Sequence, residues 1–255
     1  MGILSSLRFL QITTKQFFIP QKVIGSLSSL RYLGFIECDK LEYLYAMQQL
    51  TNLRPLQLDS CASLKSLPFS AMHVRTLRFL RIENCENINL SVEEWSKSFP
   101  LRLELLALIK LPQLVHLPLW LQGSANTIRT IVIEGCPNLT VLPKWLPDLT
   151  SLQKLFIIMC PKLLFLPKGM LHLTSLEVLE IVGCSALYSR YNRETGADWS
   201  EIIHVPRVLI EETYDSCDRK SLFLRFQKKD YCYFHKTSNL FVNYLYSRTD
   251  ACLGG

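Results

Sequence analysis

Residues 152–167 read Leu152-Gln153-Lys154-Leu155-Phe156-Ile157-Ile158-Met159-Cys160-Pro161-Lys162-Leu163-Leu164-Phe165-Leu166-Pro167. Counted from Cys160, apolar residues stand eight, five and three places before it and three and six places after it. The frame repeats. Cys38, Cys61, Cys85, Cys136, Cys160 and Cys184 fall at steps of 23, 24, 51, 24 and 24 residues, Leu111 divides the long step, and a step of 23 backward reaches Lys15, which makes eight units. Every unit keeps the columns. Eight before the anchor stand Leu7, Leu30, Leu53, Leu77, Leu103, Ile128, Leu152 and Leu176. Five before it stand Leu10, Leu33, Leu56, Leu80, Leu106, Ile131, Leu155 and Leu179. Three before it stand Ile12, Phe35, Leu58, Ile82, Leu108, Ile133, Ile157 and Ile181, and three after it Phe18, Leu41, Leu64, Ile88, Leu114, Leu139, Leu163 and Leu187.

Two apolar residues spaced by one belong to a short strand, whose side chains alternate between faces. Both point inward, and the earlier and later leucines turn the coil around the same interior. One unit alone cannot bury them, so neighbouring units must stack. The spelling L-x-x-L-x-L-x-x-C resembles the leucine-rich repeat. It implies an α/β leucine-rich-repeat solenoid, a horseshoe with a parallel concave sheet and a convex side of loops and short helices. At the strand's end the anchor sits beside turn backbone, where a small side chain with a weak donor fits, and a thiol is one. Stacked about 5 Å apart, such cysteines are also within reach of a disulfide. Met1–Leu10 has no signal-peptide layout, which favours a reduced ladder and a cytoplasmic protein. Lys15 cannot be buried cheaply, so the first unit is expected to be imperfect.

The chain has 255 residues, 49% hydrophobic and 20% charged, the balance of a folded protein. No uncharged apolar run reaches the ~18 to 20 residues that would span a bilayer, and no membrane partner is expected. The formal charge of +6 is spread thinly, without a basic cluster, so no nucleic-acid partner is expected either.

In several units a proline follows the apolar residue six after the anchor, as in Leu67-Pro68, Leu117-Pro118, Leu142-Pro143 and Leu166-Pro167. Cys136-Pro137-Asn138-Leu139 and Cys160-Pro161-Lys162-Leu163 add a proline after the anchor. This C-P-x-L-x-x-L-P form resembles the repeats of plant intracellular nucleotide-binding leucine-rich-repeat (NLR) disease resistance proteins. Beyond the eighth unit, Gly196-Ala197-Asp198-Trp199 and Ile202-Ile203-His204-Val205-Pro206 resemble the G-x-D-W…I-x-H-x-P ending of the coiled-coil, RGA-like branch, although Tyr191 stands where a cysteine commonly follows Arg190. Val205, Val208 and Ile210 restate the strand columns, which predicts a ninth strand with Trp199 covering the open end. The repeat domain is thus expected over 1–212, with its terminal strand and cap near 190–212.

The resemblance implies a recognition region that binds pathogen effectors or host proteins, or the nucleotide-binding domain of a receptor if an upstream chain exists. No G-x-x-x-x-G-K-[ST] phosphate loop occurs, so no nucleotide or other cofactor is expected. The repeats begin at residue 4 with no capping segment before them, which reads as a lost upstream part or a truncated gene product. A substrate adaptor of a ubiquitin ligase and a non-signalling relic are the competing readings.

In solenoids the concave sheet is the usual binding face. Its predicted residues include Arg81 and Glu83, then Leu105 and Ile109, Val132 and Glu134, Lys154, Phe156 and Ile158, and Val178; with Val182 the apolar members should form one exposed patch, as contact sites do. Pro55 in a middle strand suggests a bulge. Trp120 and Trp145 sit nine places after their anchors and Trp95 ten places after its own, a phase that predicts packing on the convex side. The five histidines lack H-E-x-x-H spacing, Cys232 and His235 have no second close pair, and no G-x-S-x-G elbow occurs, so neither metal nor catalytic residues are expected. Residues 213–255 leave the repeat, hold nine of the 27 aromatics including Tyr231, Tyr233, Phe234, Phe241, Tyr244 and Tyr246, and read as an extension with no assigned role.

Overall fold

A computed structural model describes residues 6–44, 47–67, 75–90 and 101–213. The chain divides into two units, Met1–Thr213 and Tyr214–Gly255; Trp95, His73 and the aromatic extension lie outside the described residues.

The first unit is a solenoid. Nine strands, β1 (Phe9–Ile12), β2 (Tyr32–Ile36), β3 (Pro55–Asp59), β4 (Phe79–Glu83), β5 (Leu105–Ile109), β6 (Thr130–Glu134), β7 (Lys154–Ile158), β8 (Val178–Val182) and β9 (Arg207–Glu211), stand in sequence order. Every neighbouring pair is parallel, and the register runs column to column, as in Leu106 to Ile131 to Leu155 to Leu179. Among the described residues the convex crossings hold one-turn 3-10 segments such as Leu146–Asp148 and Met170–His172 and two short helices, α1 (Gln21–Gly25) and α2 (Ser185–Tyr191). Prolines prepare these turns: Pro118, φ −69° and ψ 137°, immediately precedes the segment Leu119–Ser124.

The apolar columns form one continuous core. Leu106, Ile131, Leu155 and Leu179 are fully buried, as are Leu108, Ile133, Ile157 and Ile181 and the outer leucines Leu103, Ile128 and Leu152. Each such side chain contributes about 1.5–3 kcal/mol when removed from water, and each gains its dry surroundings from the rungs on both sides. Trp120 belongs to this core at 7% exposure and Trp145 packs half-buried against it.

The anchor turn has a backbone rule that the spelling does not display. From the second unit on, the residue just before the anchor takes a left-handed conformation: Glu37, Ser60, Asn84, Lys110 and Met159 at φ 51–54°, with Gly135 and Gly183 at 62° and 65°. That twist aims its N–H at the last strand residue of the next rung, so Glu37 donates to Asp59 O, Lys110 to Glu134 O and Met159 to Val182 O, at 2.7–2.9 Å. Behind it the six anchor thiols are fully buried and unbridged. Four Sγ atoms donate across rungs, Cys38 to Ile12 O at 3.4 Å, Cys61 to Phe35 O at 3.6 Å, Cys136 to Leu108 O at 3.7 Å and Cys184 to Ile157 O at 3.7 Å, while Cys85 and Cys160 donate to Glu83 O and Ile158 O of their own rungs. Leu111, equally buried, fills the same place without a donor and splits the ladder into two runs of three.

Two expectations need correction. Pro55 causes no bulge: it opens β3 in register with Phe79. In other rungs two successive N–H groups share one carbonyl, as Arg31 and Tyr32 share Arg8 O, and Arg54 alone serves Arg31 O here, so the missing donor leaves no acceptor unserved. In the first rung Phe18 is 57% exposed and Ile19, at 8%, takes the interior place. The turn around the exposed Lys15 is one residue longer, because a lysine cannot enter the anchor position.

The terminal zone is built around α2. Arg190 pairs with Asp198 at 2.6 Å, and Tyr191, 3% exposed, accepts a hydrogen bond from the Leu166 N–H at 3.1 Å. Gly196 sits against backbone, where a Cβ would lie 2.4 Å from Arg190 O. Trp199 packs half-buried on the core beside the fully buried Ile202.

Met159 is 43% exposed, so its substitution tests the turn rather than the packing. Met159→Val is expected to destabilise by about 1–2 kcal/mol, since a β-branched residue resists the left-handed region, whereas Met159→Gly should hold or gain stability. Thermal melts that fall equally for both would refute the backbone account.

Candidate functional site

Three columns cross the face of the sheet opposite the core, set by alternation along each strand. The middle one runs Gln11, Gly34, Gln57, Arg81, Ala107, Val132, Phe156, Glu180 and Leu209. At the C-terminal side of the strands stand Ile36, Asp59, Glu83, Ile109, Glu134, Ile158, Val182 and Glu211, and at the N-terminal side Phe9, Tyr32, Pro55, Phe79, Leu105, Thr130, Lys154, Val178 and Arg207. The register therefore brings the ten predicted residues into one continuous area: Arg81 and Glu83 on β4, Leu105 and Ile109 on β5, Val132 and Glu134 on β6, Lys154, Phe156 and Ile158 on β7, Val178 on β8.

The expected exposure of its apolar members is not observed. Ile109, Val132, Phe156 and Val178 keep only 5–7% of their surface, Val182 2% and Ile158 none. Strands about 4.8 Å apart leave little room between side chains of neighbouring rungs. What stands further out is mostly polar: Arg81 and Glu83 each keep 18% of their side-chain surface, and Glu134, Lys154 and Leu105 are also partly exposed.

The charges sort by column. Arg81 Nη2 meets Glu83 Oε2 at 2.5 Å, two residues apart on one face of β4. Asp59 lies opposite Glu83 in register. Burial pushes the Asp59 carboxyl above its ordinary range and the neighbouring Glu83 adds repulsion; the Ser60 hydroxyl, donating at 2.9 Å, and the Arg81 guanidinium act in the other direction.

An aromatic clamp at the first rungs is absent from the predicted set. Phe9 stacks on Tyr32 with ring centroids 4.2 Å apart, and the Tyr32 hydroxyl donates to Gln57 Oε1 at 3.0 Å. The ring reaches Gln57 by lying over Gly34, where a Cβ would stand 2.7 Å from the hydroxyl. The signal was present as an aromatic residue followed two places later by glycine, although nothing in the repeat marks that pair.

The cysteine ladder is chemically quiet. Contact with Cys136 and burial push the Cys160 thiol up to about 12, and contact with Cys160 and burial raise Cys184, so both stay protonated at neutral pH. The same contact lowers Cys136. Thiolate is the attacking form, and raised, buried thiols react slowly. Among the described residues no group of three or more His, Cys, Asp or Glu is placed to hold a metal ion, and no helix is long and apolar enough to cross a membrane.

The architecture is that of a leucine-rich-repeat domain. It is similar to the leucine-rich-repeat domain of the type III effector XopL, with 21% identity, 80% of this chain and 76% of that one covered, and a TM-score of 0.56. Weaker likenesses extend to the TLR13–ssRNA13 complex, at 15% identity over 82% of this chain and 44% of that one with a TM-score of 0.32, and to an internalin from Listeria monocytogenes, at 14% over 76% and 78% with a TM-score of 0.25. The XopL likeness is one of fold. No family model matches the chain, and no curated protein matches it.

Two measurements check this chemistry. A carboxyl whose folded-state value exceeds its unfolded value costs stability when ionised; the cost is full above the folded value, shrinks as pH falls below it and is gone below the unfolded value. Asp59→Asn should therefore raise the Tm at pH 7 and gain nothing in the acidic carboxylate range; an unchanged Tm at pH 7 would contradict the burial argument. Titration with a thiol reagent should count at most three fast cysteines in the folded chain, since six of the nine are fully buried, and all nine after denaturation. Fast reaction of Cys160 or Cys184 in the folded chain would contradict the ladder.

Proposed function

We propose that residues 1–212 are the protein-recognition region of a plant disease resistance protein of the coiled-coil NLR class, working in the cytoplasm by binding a pathogen effector or a host protein through the concave sheet. The observation that carries this reading is the register that aligns Arg81, Glu83, Glu134 and Lys154 around Val132, Phe156 and Ile158. Charged groups that stand out of an apolar floor give a partner both orientation and a dry centre. The positions that reach water, such as Glu134 and Lys154, can vary without touching the core columns, so the face can diversify while those columns stay fixed.

The immune assignment itself is supported by spelling, namely C-P-x-L-x-x-L-P in the later rungs and the Gly196 to Pro206 ending. The ending has matching physical work: the Arg190–Asp198 pair and the close-packed Gly196 hold the cap on the last rungs. Binding alone does not switch a receptor, which needs unequal affinity for two states; the nucleotide-binding domain of such a receptor would be a second partner. Residues 213–255 are an extension to this region. The region acts by binding and not by catalysis.

A two-hybrid or affinity screen against effectors and host defence proteins should yield a partner whose binding drops tenfold or more with Lys154→Glu or Glu134→Lys. Both residues are partly exposed, so the Tm should move little. A partner that binds both variants as tightly as the wild type would remove the concave face from the proposal, and recovery of a ubiquitin-ligase adaptor in its place would favour the adaptor reading.

A further inference from the structure

The side wall behind the anchor turn carries a second, shorter ladder. Phe18 bridges Tyr43 and Ser66 bridges Asn89, both in parallel. Backbone N–H groups continue it, Lys65 to Glu42 O at 3.3 Å, Asn89 to Lys65 O at 2.8 Å and Thr140 to Val115 O at 3.3 Å. From the second rung on these residues lie four and five places after their anchors, and Phe18 lies three after Lys15, so the wall has its own columns.

Both halves expose apolar side chains, Phe18 at 57% and Tyr43 at 41% in the first, and they differ in the column four after the anchor. In the second to fourth rungs the column four after the anchor is Glu42, Lys65 and Asn89, with Lys65 and Glu42 paired at 2.5 Å. In the fifth to seventh rungs it becomes Val115, Thr140 and Leu164, beside His116, Val141 and Phe165. Val115 is 40% exposed, Leu164 53% and Phe165 42%. Leu119 and Leu171, on the adjoining convex crossings, are 61% and 49% exposed. Around them stand Lys144, Lys162 and Lys168, all exposed; Lys162 donates to Asn138 Oδ1 at 2.7 Å. The one carboxylate in the convex crossings of these three rungs, residues 112–127, 137–151 and 161–175, is Asp148.

We propose that this flank of the fifth to seventh rungs is a docking surface for an anionic phospholipid bilayer. Protruding apolar side chains ringed by lysines are what a headgroup region accepts: the apolar tips enter the acyl boundary while the ammonium groups meet lipid phosphates and carboxylates. The charge favours an anionic surface, since three exposed lysines face a single carboxylate, Asp148, in these crossings. Such contact needs no membrane-crossing helix. Each lysine near an anionic leaflet strengthens binding about fivefold. Val115, Leu164 and Phe165 supply the part that salt does not screen.

The full chain should be tested by flotation with vesicles of phosphatidylcholine alone and of phosphatidylcholine containing about 30 mol % phosphatidylserine. It is expected to float with the second and not the first, and to be partly released at about 0.5 M salt. Reversal of Lys144, Lys162 and Lys168 to Glu should weaken binding at least tenfold, and Leu164→Ser with Phe165→Ser about tenfold. Circular dichroism and Tm should stay near wild type, because these side chains already face water. Lys154→Glu, on the opposite face, should float as the wild type does. Failure of the wild type to float overturns the assignment, as does flotation of both flank variants at wild-type strength, or binding of an acidic peptide without flotation.

Discussion

A rung of two dozen residues cannot dry its own leucines. Leu155 touches no solvent because Ile131 and Leu179 lie on either side of it in register, and each of those depends on the next in turn. Stability therefore resides in the interfaces between rungs rather than in any rung, and every other feature of the fold serves to keep those interfaces aligned. The left-handed residue before the anchor closes one edge, the buried thiols bond across the turn, and prolines start the convex crossing at the same phase. Where the fourth and fifth rungs are joined by a longer crossing, Ser124 performs a similar task. It donates to Leu101 O at 3.0 Å and accepts from the Leu103 N–H at 3.1 Å while fully buried.

Because the interior columns are occupied by the fold, the remaining positions are free to specialise, and the two outward faces have done so differently. The sheet face puts charges above an apolar floor, with Asp59 held partly against its preferred charge state. Between its fourth and fifth rungs the side wall exchanges Glu42, Lys65 and Asn89 for Val115, Thr140 and Leu164, with exposed lysines on the same crossings. Neither face disturbs the core columns, so one chain can present two chemistries to two kinds of neighbour.

How much of this the sequence displays follows from what repeats. The strands, their parallel order and the interior columns are legible because each is stated eight times over, and even the ninth strand is visible in Val205, Val208 and Ile210. The left-handed turn is not legible: the seven residues that adopt it are Glu, Ser, Asn, Lys, Gly, Met and Gly, and only the glycines advertise a positive φ. The column three after the anchor holds from Leu41 to Leu187 and departs only at Phe18, where the first turn seats Ile19 inside in its place, and no neighbouring unit repeats that shift. The candidate face was legible in position and not in exposure, since alternation says which side a residue is on but not how much water reaches it. Tyr191 shows the same limit in reverse. It departs from the expected cysteine, and its hydroxyl does work for Leu166 that spelling could not announce.

Strand order that matches chain order has a mechanical consequence. Neighbours in the sheet are neighbours in the chain, from β1 to β9, so tension applied at the two ends of the solenoid loads its interfaces in series. No clamp of distant strands bears the force in parallel. Such a coil lengthens by detaching terminal turns one after another at modest load, and on relaxation each turn finds its seat on the surface its predecessor has left exposed.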